Sequence, residues 1–190
     1  MEGQTTDEEA VKRVQGGDVE SFGVLVERYE ARLLRYAKRF FLGSEDVKDV
    51  VQDTFVKAYQ NIQSFDATKR FSPWIYRIAH NEFVNVLRSR SGKETVSFFD
   101  LDVVLPPLFA KEDPEREMEQ KELRELMDRK LSTLNAKYRE PLVLYYYEDM
   151  DYKEIADILK IPVATVGVRL NRGRAMLEKE FTDGKGERVI

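Results

Sequence analysis

Residues Asp151 to Leu177, DYKEIADILKIPVATVGVRLNRGRAML, decide the fold of the C-terminal half of the chain. Asp151 and Glu154 are spaced as a capping box, in which the first carboxylate accepts orphan backbone N–H groups and the second reaches back. A short helix is therefore expected from Tyr152, with Ile155, Ala156 and Leu159 at helical spacing. Ile161-Pro162 interrupts the pattern, because a proline disfavours helix at the residue before it and suits the opening of the next helix. On that second helix Val163, Val166, Leu170, Gly173 and Leu177 recur at steps of three and four along one side. Thr165, Val168, Arg169 and Arg172 occupy the other. Between Lys160 and Lys179 there are five basic residues and one acid. Two ordinary core helices with a solvated basic face would satisfy this pattern. The tight connection, the small Ala156 where the helices must approach, and the outward arginines favour a helix-turn-helix for duplex DNA.

The chain has 190 residues, 42% of them hydrophobic, enough for two small helical domains. It contains no cysteine, which removes disulfides, thiol catalysis and thiolate zinc sites. No apolar run approaches the roughly 20 residues of a membrane span. The N-terminal MEGQTTDEEAVKR lacks the apolar stretch of a signal peptide, so the chain is read as cytoplasmic, without membrane insertion. The net charge of −4 argues against gripping nucleic acid by bulk electrostatics. Local patches must do that work, because acids gather in the middle: residues 93–120 hold eight acidic and three basic side chains.

Upstream, Gly16-Gly17-Asp18 reads as a turn and helix cap. Phe22, Leu25, Val26, Tyr29, Leu33, Tyr36, Ala37 and Phe40 then mark a long amphipathic helix, ended by Gly43-Ser44. The next helix has Val47, Val50, Val51, Phe55, Ala58, Tyr59 and Ile62 inward. Asp49, Gln52, Asp53, Val56 and Gln60 face out, either as plain solvated surface or as a docking surface for a basic partner helix; charge does not decide between them. After the loop Ser64 to Arg70, Ser72 is expected to cap a third helix with Pro73 at its first position. Trp74, Ile75, Ile78, Ala79, Phe83, Val86 and Leu87 form its apolar side. Arg77, Asn81, Asn85 and Arg88 form a stripe without carboxylates, which fits either a hydrated face or contact with phosphates and base edges. Residues 89–114 lose periodicity and gather Gly, Pro and acids, as an interdomain linker does. Beyond it, Leu123, Leu126, Met127, Leu131 and Leu134 mark one helix. Lys137 to Glu148 marks another, with Tyr138, Leu142, Tyr145 and Tyr146 inward and Pro141 in its first turn.

Nothing in the pattern supports catalysis. His80 is the only histidine, which leaves no histidine triad and no multi-histidine metal site; it is expected at a helix surface or core edge. Asp49 and Asp53 lie one turn apart but have no third ligand, and there is no Gly-rich phosphate loop. No cofactor and no enzymatic activity are expected.

Four blocks in order, GDVESFGVLVERY, DVVQDTFVKAYQNIQSFD, FSPWIYRIAHN and LNAKYREPLVLYYYEDMDYKEIADILKIPVATVGVRLNRGRAML, resemble the extracytoplasmic-function (ECF) sigma factors, which direct bacterial RNA polymerase to promoters. The resemblance implies an all-α fold of two helical domains. Region 2, a three- to four-helix bundle, would occupy residues 1–90. A flexible linker would occupy 91–114, and the helix-turn-helix region 4 would occupy 115–183, before a tail at 184–190. It also implies partners: core RNA polymerase, through its beta-prime clamp and beta flap, promoter DNA, and an anti-sigma factor. Asp49, Gln52, Asp53, Phe55 and Val56 match the helix that docks on the clamp. Phe65, Asp66, Lys69 and Arg70 match the loop that captures a flipped base of the −10 element, and Arg77, Asn81, Asn85 and Arg88 the helix beside it. Ala164, Thr165, Val168, Arg169, Asn171 and Arg172 match the helix that reads the −35 element.

Three positions depart from the family: Gly167 where lysine is common, Asn85 where aspartate is usual, and Lys160 in place of a small turn residue. The competing reading is a stand-alone helix-turn-helix regulator with an N-terminal interaction module, which would bind duplex DNA tightly without polymerase. A pure interaction protein, whose basic helix is surface decoration, would show no DNA dependence.

Overall fold

The computed structural model describes residues 5–38, 44–91 and 126–183, and every regular element among them is a helix. Most of the expected linker, from residue 92, and the tail 184–190 lie outside the described residues, as do Phe40 and Leu123. The chain separates into two compact units, Met1–Glu94 with Asp157–Lys160 and Thr95–Ala156 with Ile161–Ile190.

The first unit contains α1 (Asp7–Gln15), α2 (Ser21–Lys38), α3 (Ser44–Asn61), a 3-10 turn (Ile62–Ser64) and α4 (Phe71–Ser91). Sequence reading missed α1. Its signal is a capping box: Thr6 Oγ1 accepts from Glu9 N at 3.2 Å, while Glu9 Oε2 accepts from Thr6 N at 2.8 Å. The turn to α2 is built as expected. Gly17 adopts φ +102°, a conformation that costs other residues a clash at Cβ. Asp18 then caps α2, accepting from Ser21 N at 3.3 Å and from Ser21 Oγ at 2.7 Å.

Leu25, Tyr29, Leu33 and Tyr36 of α2, Val50, Val51 and Ala58 of α3, and Phe71, Ile75, Tyr76 and Phe83 of α4 fill the core. Aromatic edges organise it. Tyr36 meets Tyr76 at 5.1 Å and Tyr29 meets Phe71 at 5.4 Å between ring centroids, the edge-on geometry that ring quadrupoles favour. Tyr59, expected inward, is 41% exposed at the mouth of this core, edge-on to Phe22. His80 is buried rather than peripheral. The fourth helix starts at Phe71, so Ser72 lies inside its first turn instead of capping it, and Pro73 takes the third position. The proline is harmless there, because the first N–H groups of a helix have no intrahelical acceptor.

The second unit contains α5 (described over 126–132), α6 (Ala136–Tyr146), the larger part of α7 (Tyr152–Leu159) and α8 (Val163–Asp183). Asn135 caps α6, accepting from Lys137 N at 3.0 Å. That start places Pro141 inside the helix, beyond the first turn. Leu142, Val143 and Leu144 are buried, while Tyr145 and Tyr146 turn outward, against expectation. The inward places that periodicity assigned to the tyrosines are taken by two charged residues, Arg139 and Glu140, both almost wholly buried.

The Asp151 box is present. Asp151 Oδ1 accepts from Lys153 N at 2.7 Å and from Glu154 N at 2.8 Å, and Glu154 Oε2 accepts from Asp151 N at 2.8 Å. Lys160 ends α7 in the left-handed region, φ +54°, and Ile161 N reaches back to Ala156 O at 3.2 Å. That is the geometry in which helices commonly place a glycine. Pro162 sits just before α8, and its carbonyl accepts from Thr165 N at 2.8 Å. Val166 and Leu170 face inward as expected, but Val163 is 44% exposed.

Candidate nucleic-acid and polymerase interfaces

The first candidate surface is the outer side of α3. Asp49, Gln52, Asp53 and Val56 are exposed there, and Val56 is 47% accessible despite being apolar. Phe55 does not share that side. Its ring is almost buried and meets Phe22 edge-on at 6.4 Å. Phe55 and Val56 nevertheless help line one open groove of about 820 Å³ between α2 and α3, together with Phe22, Val26, Val51 and Tyr59. Acidic and amide groups on the exposed side and an apolar trough beside it could receive a helix carrying both basic and apolar residues.

The second surface is the loop before α4 and the stripe along that helix. Asp66 organises the loop: its Oδ1 accepts from Thr68 N at 3.0 Å and from Thr68 Oγ1 at 2.7 Å, and its carbonyl accepts from Lys69 N at 2.9 Å. The hydrogen bond from the Thr68 hydroxyl holds the Asp66 carboxyl below the usual carboxylate range. Lys69 and Arg70 stand exposed at the end of the loop. Phe65 does not. It is buried against Trp74, 4.9 Å between centroids, and Phe71, 5.8 Å, so its ring is part of the core. Along α4, Asn81, Asn85 and Arg88 are exposed and Arg77 is half-buried. Glu82, next to this stripe, turns away to accept from Lys57 Nζ at 2.6 Å, so its charge is paired on α3.

The loop is also held from behind. Gln15, the last residue of α1, donates through Nε2 to the carbonyls of Ile62, at 2.7 Å, and Phe65, at 2.8 Å. Glu8 Oε1 accepts from Phe71 N at 3.0 Å. These partners lie about fifty to sixty residues away in sequence. No local pattern could have identified Gln15 or Glu8. Asp7 anchors α1 to α2 by pairing with Arg28 at 2.6 Å and accepting from the Tyr29 hydroxyl. Burial and that carboxylate push the Tyr29 hydroxyl far above its ordinary pKa.

The third surface is the outer side of α8. Ala164, Val168, Asn171 and Arg172 are exposed and Thr165 is half-buried. Asn171 is engaged by Arg174 Nη2 at 2.5 Å. Arg169 differs from the expectation of an outward base reader. Its guanidinium is partly buried, and desolvation lowers its pKa against the opposing pull of the buried Glu140 carboxylate. The packing explains why. One turn along the same side is Gly173, where α8 comes so close to α6 that a β-carbon would lie 3.2 Å from the Tyr138 carbonyl oxygen. Gly167, in contrast, has the Tyr152 ring near it, with Cε2 at 3.5 Å and Cδ2 at 4.0 Å.

Among the described residues no group of His, Cys, Asp or Glu could hold a metal ion, and no helix is long and apolar enough to cross a membrane.

Comparison with known proteins agrees with these two units. The Sigma-70 region 2 family matches residues 25–92, and Sigma-70, region 4 matches residues 124–177. The chain is 32% identical over 183 residues to the ECF RNA polymerase sigma factor SigW of Bacillus subtilis (strain 168), covering 91% of this chain and 95% of that one. It is 34% identical over 187 residues to the ECF RNA polymerase sigma-E factor of Escherichia coli (strain K12), covering 95% and 96%. Among solved structures, CnrH in complex with the cytosolic domain of CnrY is similar, with a TM-score of 0.66 and 27% identity over 94% of this chain and 99% of that one. With its two helical units matched in order and its relatives aligned almost end to end, the chain belongs to the ECF sigma factors, which act with RNA polymerase in promoter recognition.

Proposed function

We propose that this chain brings core RNA polymerase to its promoters through three separate surfaces. Asp49, Gln52, Asp53 and Val56 dock on the polymerase clamp, with Phe55 supporting them from the groove. The loop from Asp66 to Arg70 and the stripe Arg77, Asn81, Asn85 and Arg88 take the single-stranded −10 element, with Phe65 as the floor of the loop. Ala164, Thr165, Val168, Asn171 and Arg172 meet the −35 element in the major groove, with Arg169 held behind them. The observation that carries this reading is the presence of two polar faces without carboxylates, on α4 and on α8, one in each unit. Amide and guanidinium groups so placed can engage phosphates and base edges without repulsion from their own helix.

Promoter opening then follows from differential binding. Unstacking a base costs a few kcal/mol, and contacts that exist only with the displaced strand offset it. The protein carries out no bond chemistry of its own. It works in the cytoplasm without membrane insertion, with the beta flap as the polymerase contact of the second unit and an anti-sigma factor as a regulatory partner.

Run-off transcription with core polymerase, with and without this chain, on templates from the source genome tests the proposal. Specific transcripts only in its presence are the expected result. Tight duplex binding by the chain alone with no transcripts would establish the stand-alone regulator instead.

A further inference from the structure

We propose that Gln15 and Glu8 of α1 are positioning residues for the −10 loop, holding it in the shape that receives the displaced base. The inference rests on the reading of that loop given above. The loop is short and exposed between Asp66 and Arg70, and side chains on such segments ordinarily lose much freedom on binding. Here most of that ordering is done in advance. At its start, Gln15 Nε2 donates to two carbonyls at once, those of Ile62 and Phe65, at 2.7 and 2.8 Å. At its end, Glu8 Oε1 accepts the Phe71 N–H at 3.0 Å, one of the N–H groups that α4 leaves without an intrahelical partner. Between them the Asp66 and Thr68 bonds set the turn, and the Phe65 ring is fixed against Phe71 and Trp74.

One helix therefore pins both ends of the loop, and α1 itself is fixed to α2 by the Asp7 pair with Arg28. The Gln15 amide is suited to this because a single nitrogen carries two donors. These α1 groups bond to backbone atoms at the two ends of the loop. They act through the loop, by preorganisation.

The test uses the full-length chain in holoenzyme. Wild type, Gln15→Met, Glu8→Ala and the loop variant Lys69→Ala/Arg70→Ala are compared on promoters in which each non-template base of the −10 element is replaced in turn by an abasic site. The readout is the ratio of open-complex formation on the intact promoter to that on the abasic template to which wild type is most sensitive. A variant that only lowers the amount of folded protein reduces both rates together and leaves the ratio unchanged. Gln15→Met is expected to lower the ratio about tenfold, the factor that one or two ordinary hydrogen bonds supply. Glu8→Ala is expected to lower it in the same direction, and it carries the test if Gln15→Met does not fold.

A lowered ratio in both the α1 variants and the loop variant supports the proposal. A ratio lowered by the loop variant but unchanged by the α1 variants that fold overturns it while leaving the loop assignment standing. A wild-type ratio near one at every position, with the loop variant also unchanged, overturns the loop assignment and the inference with it.

Discussion

Replacing Gly173 by alanine places a methyl group 2.8 Å from Leu142 Cδ1, 3.3 Å from Leu142 Cγ and 3.2 Å from the Tyr138 carbonyl oxygen. Leu142 is 1% exposed but borders a cavity of about 230 Å³ shared with Leu131 and Leu177, so its Cδ1 can give, whereas the carbonyl belongs to the α6 backbone and cannot. The strain falls in the overpacking range of about 1–3 kcal/mol, toward its upper end, because the carbonyl obstacle is fixed in the α6 backbone. Alanine returns about 1 kcal/mol of helix propensity. The net loss is therefore about 1–2 kcal/mol.

Gly167 provides an internal control on the same helix. Its added methyl meets the edge of the Tyr152 ring at 3.5 Å, an ordinary contact, so Gly167→Ala should gain about 1 kcal/mol. The two substitutions are chemically identical and differ only in what faces them. Thermal unfolding of the full-length chain by calorimetry should show the transition of the second unit moving down for Gly173→Ala and up for Gly167→Ala, by about 4–8 °C per kcal/mol for a unit of this size. If Gly173→Ala melts at or above the parent, or Gly167→Ala melts below it, the packing argument for α6 against α8 is refuted.

Arg169→Ala should destabilise the second unit by no more than about 1 kcal/mol, because the cation it removes from the field of the buried Glu140 is itself partly solvent-screened, while base preference at the −35 element stays unchanged. Arg172→Ala, on the exposed side, should do the reverse; melting curves and binding to −35 duplexes with single base changes separate the two. Asp53→Arg should prevent holoenzyme assembly, scored by co-elution with core polymerase, and leave the melting temperature of this exposed position nearly unmoved. Lys160→Gly should stabilise the turn between α7 and α8 by about 1 kcal/mol in urea unfolding, since it relieves a left-handed backbone at φ +54°. The Asp18 carboxyl lies below the usual range, chiefly through the Ser21 hydroxyl. Its contribution is full above the ordinary value of about 3.9 and is lost as pH falls through its lowered native value. Asp18→Asn should therefore flatten the acid limb of an unfolding-against-pH curve, and an unchanged limb would remove Asp18 from the acid response.

The amino-acid sequence by itself determined the features whose partners lie within about four residues. The Gly16-Gly17-Asp18 turn, the Asp151 and Glu154 box and the break before α8 were all legible, because a cap or a turn closes its own hydrogen bonds locally. The exposed side of α3 and the stripe on α4 were legible too, since helical period alone separates them from the core. Even α1 carries a local signal in Thr6 and Glu9, whose box closes its own hydrogen bonds within three residues.

Only the tertiary structure decided what becomes of a side chain whose partner is far along the chain. Phe65 fell within the expected base-capturing loop, and only packing shows its ring closed over by Phe71 and Trp74. Arg169 looked outward until packing half-buried its guanidinium within the electrostatic reach of Glu140, twenty-nine residues earlier. Tyr145 and Tyr146 fit an inward pattern, yet α6 buries Arg139 and Glu140 instead, a choice that periodicity ranks the wrong way because it counts apolar character and not available counter-charge. Gln15 carried no signal at all. Its two acceptors are backbone carbonyls forty-seven and fifty residues on, and any sequence could have supplied them. Periodicity reports which side of a helix is covered; only packing reports by what.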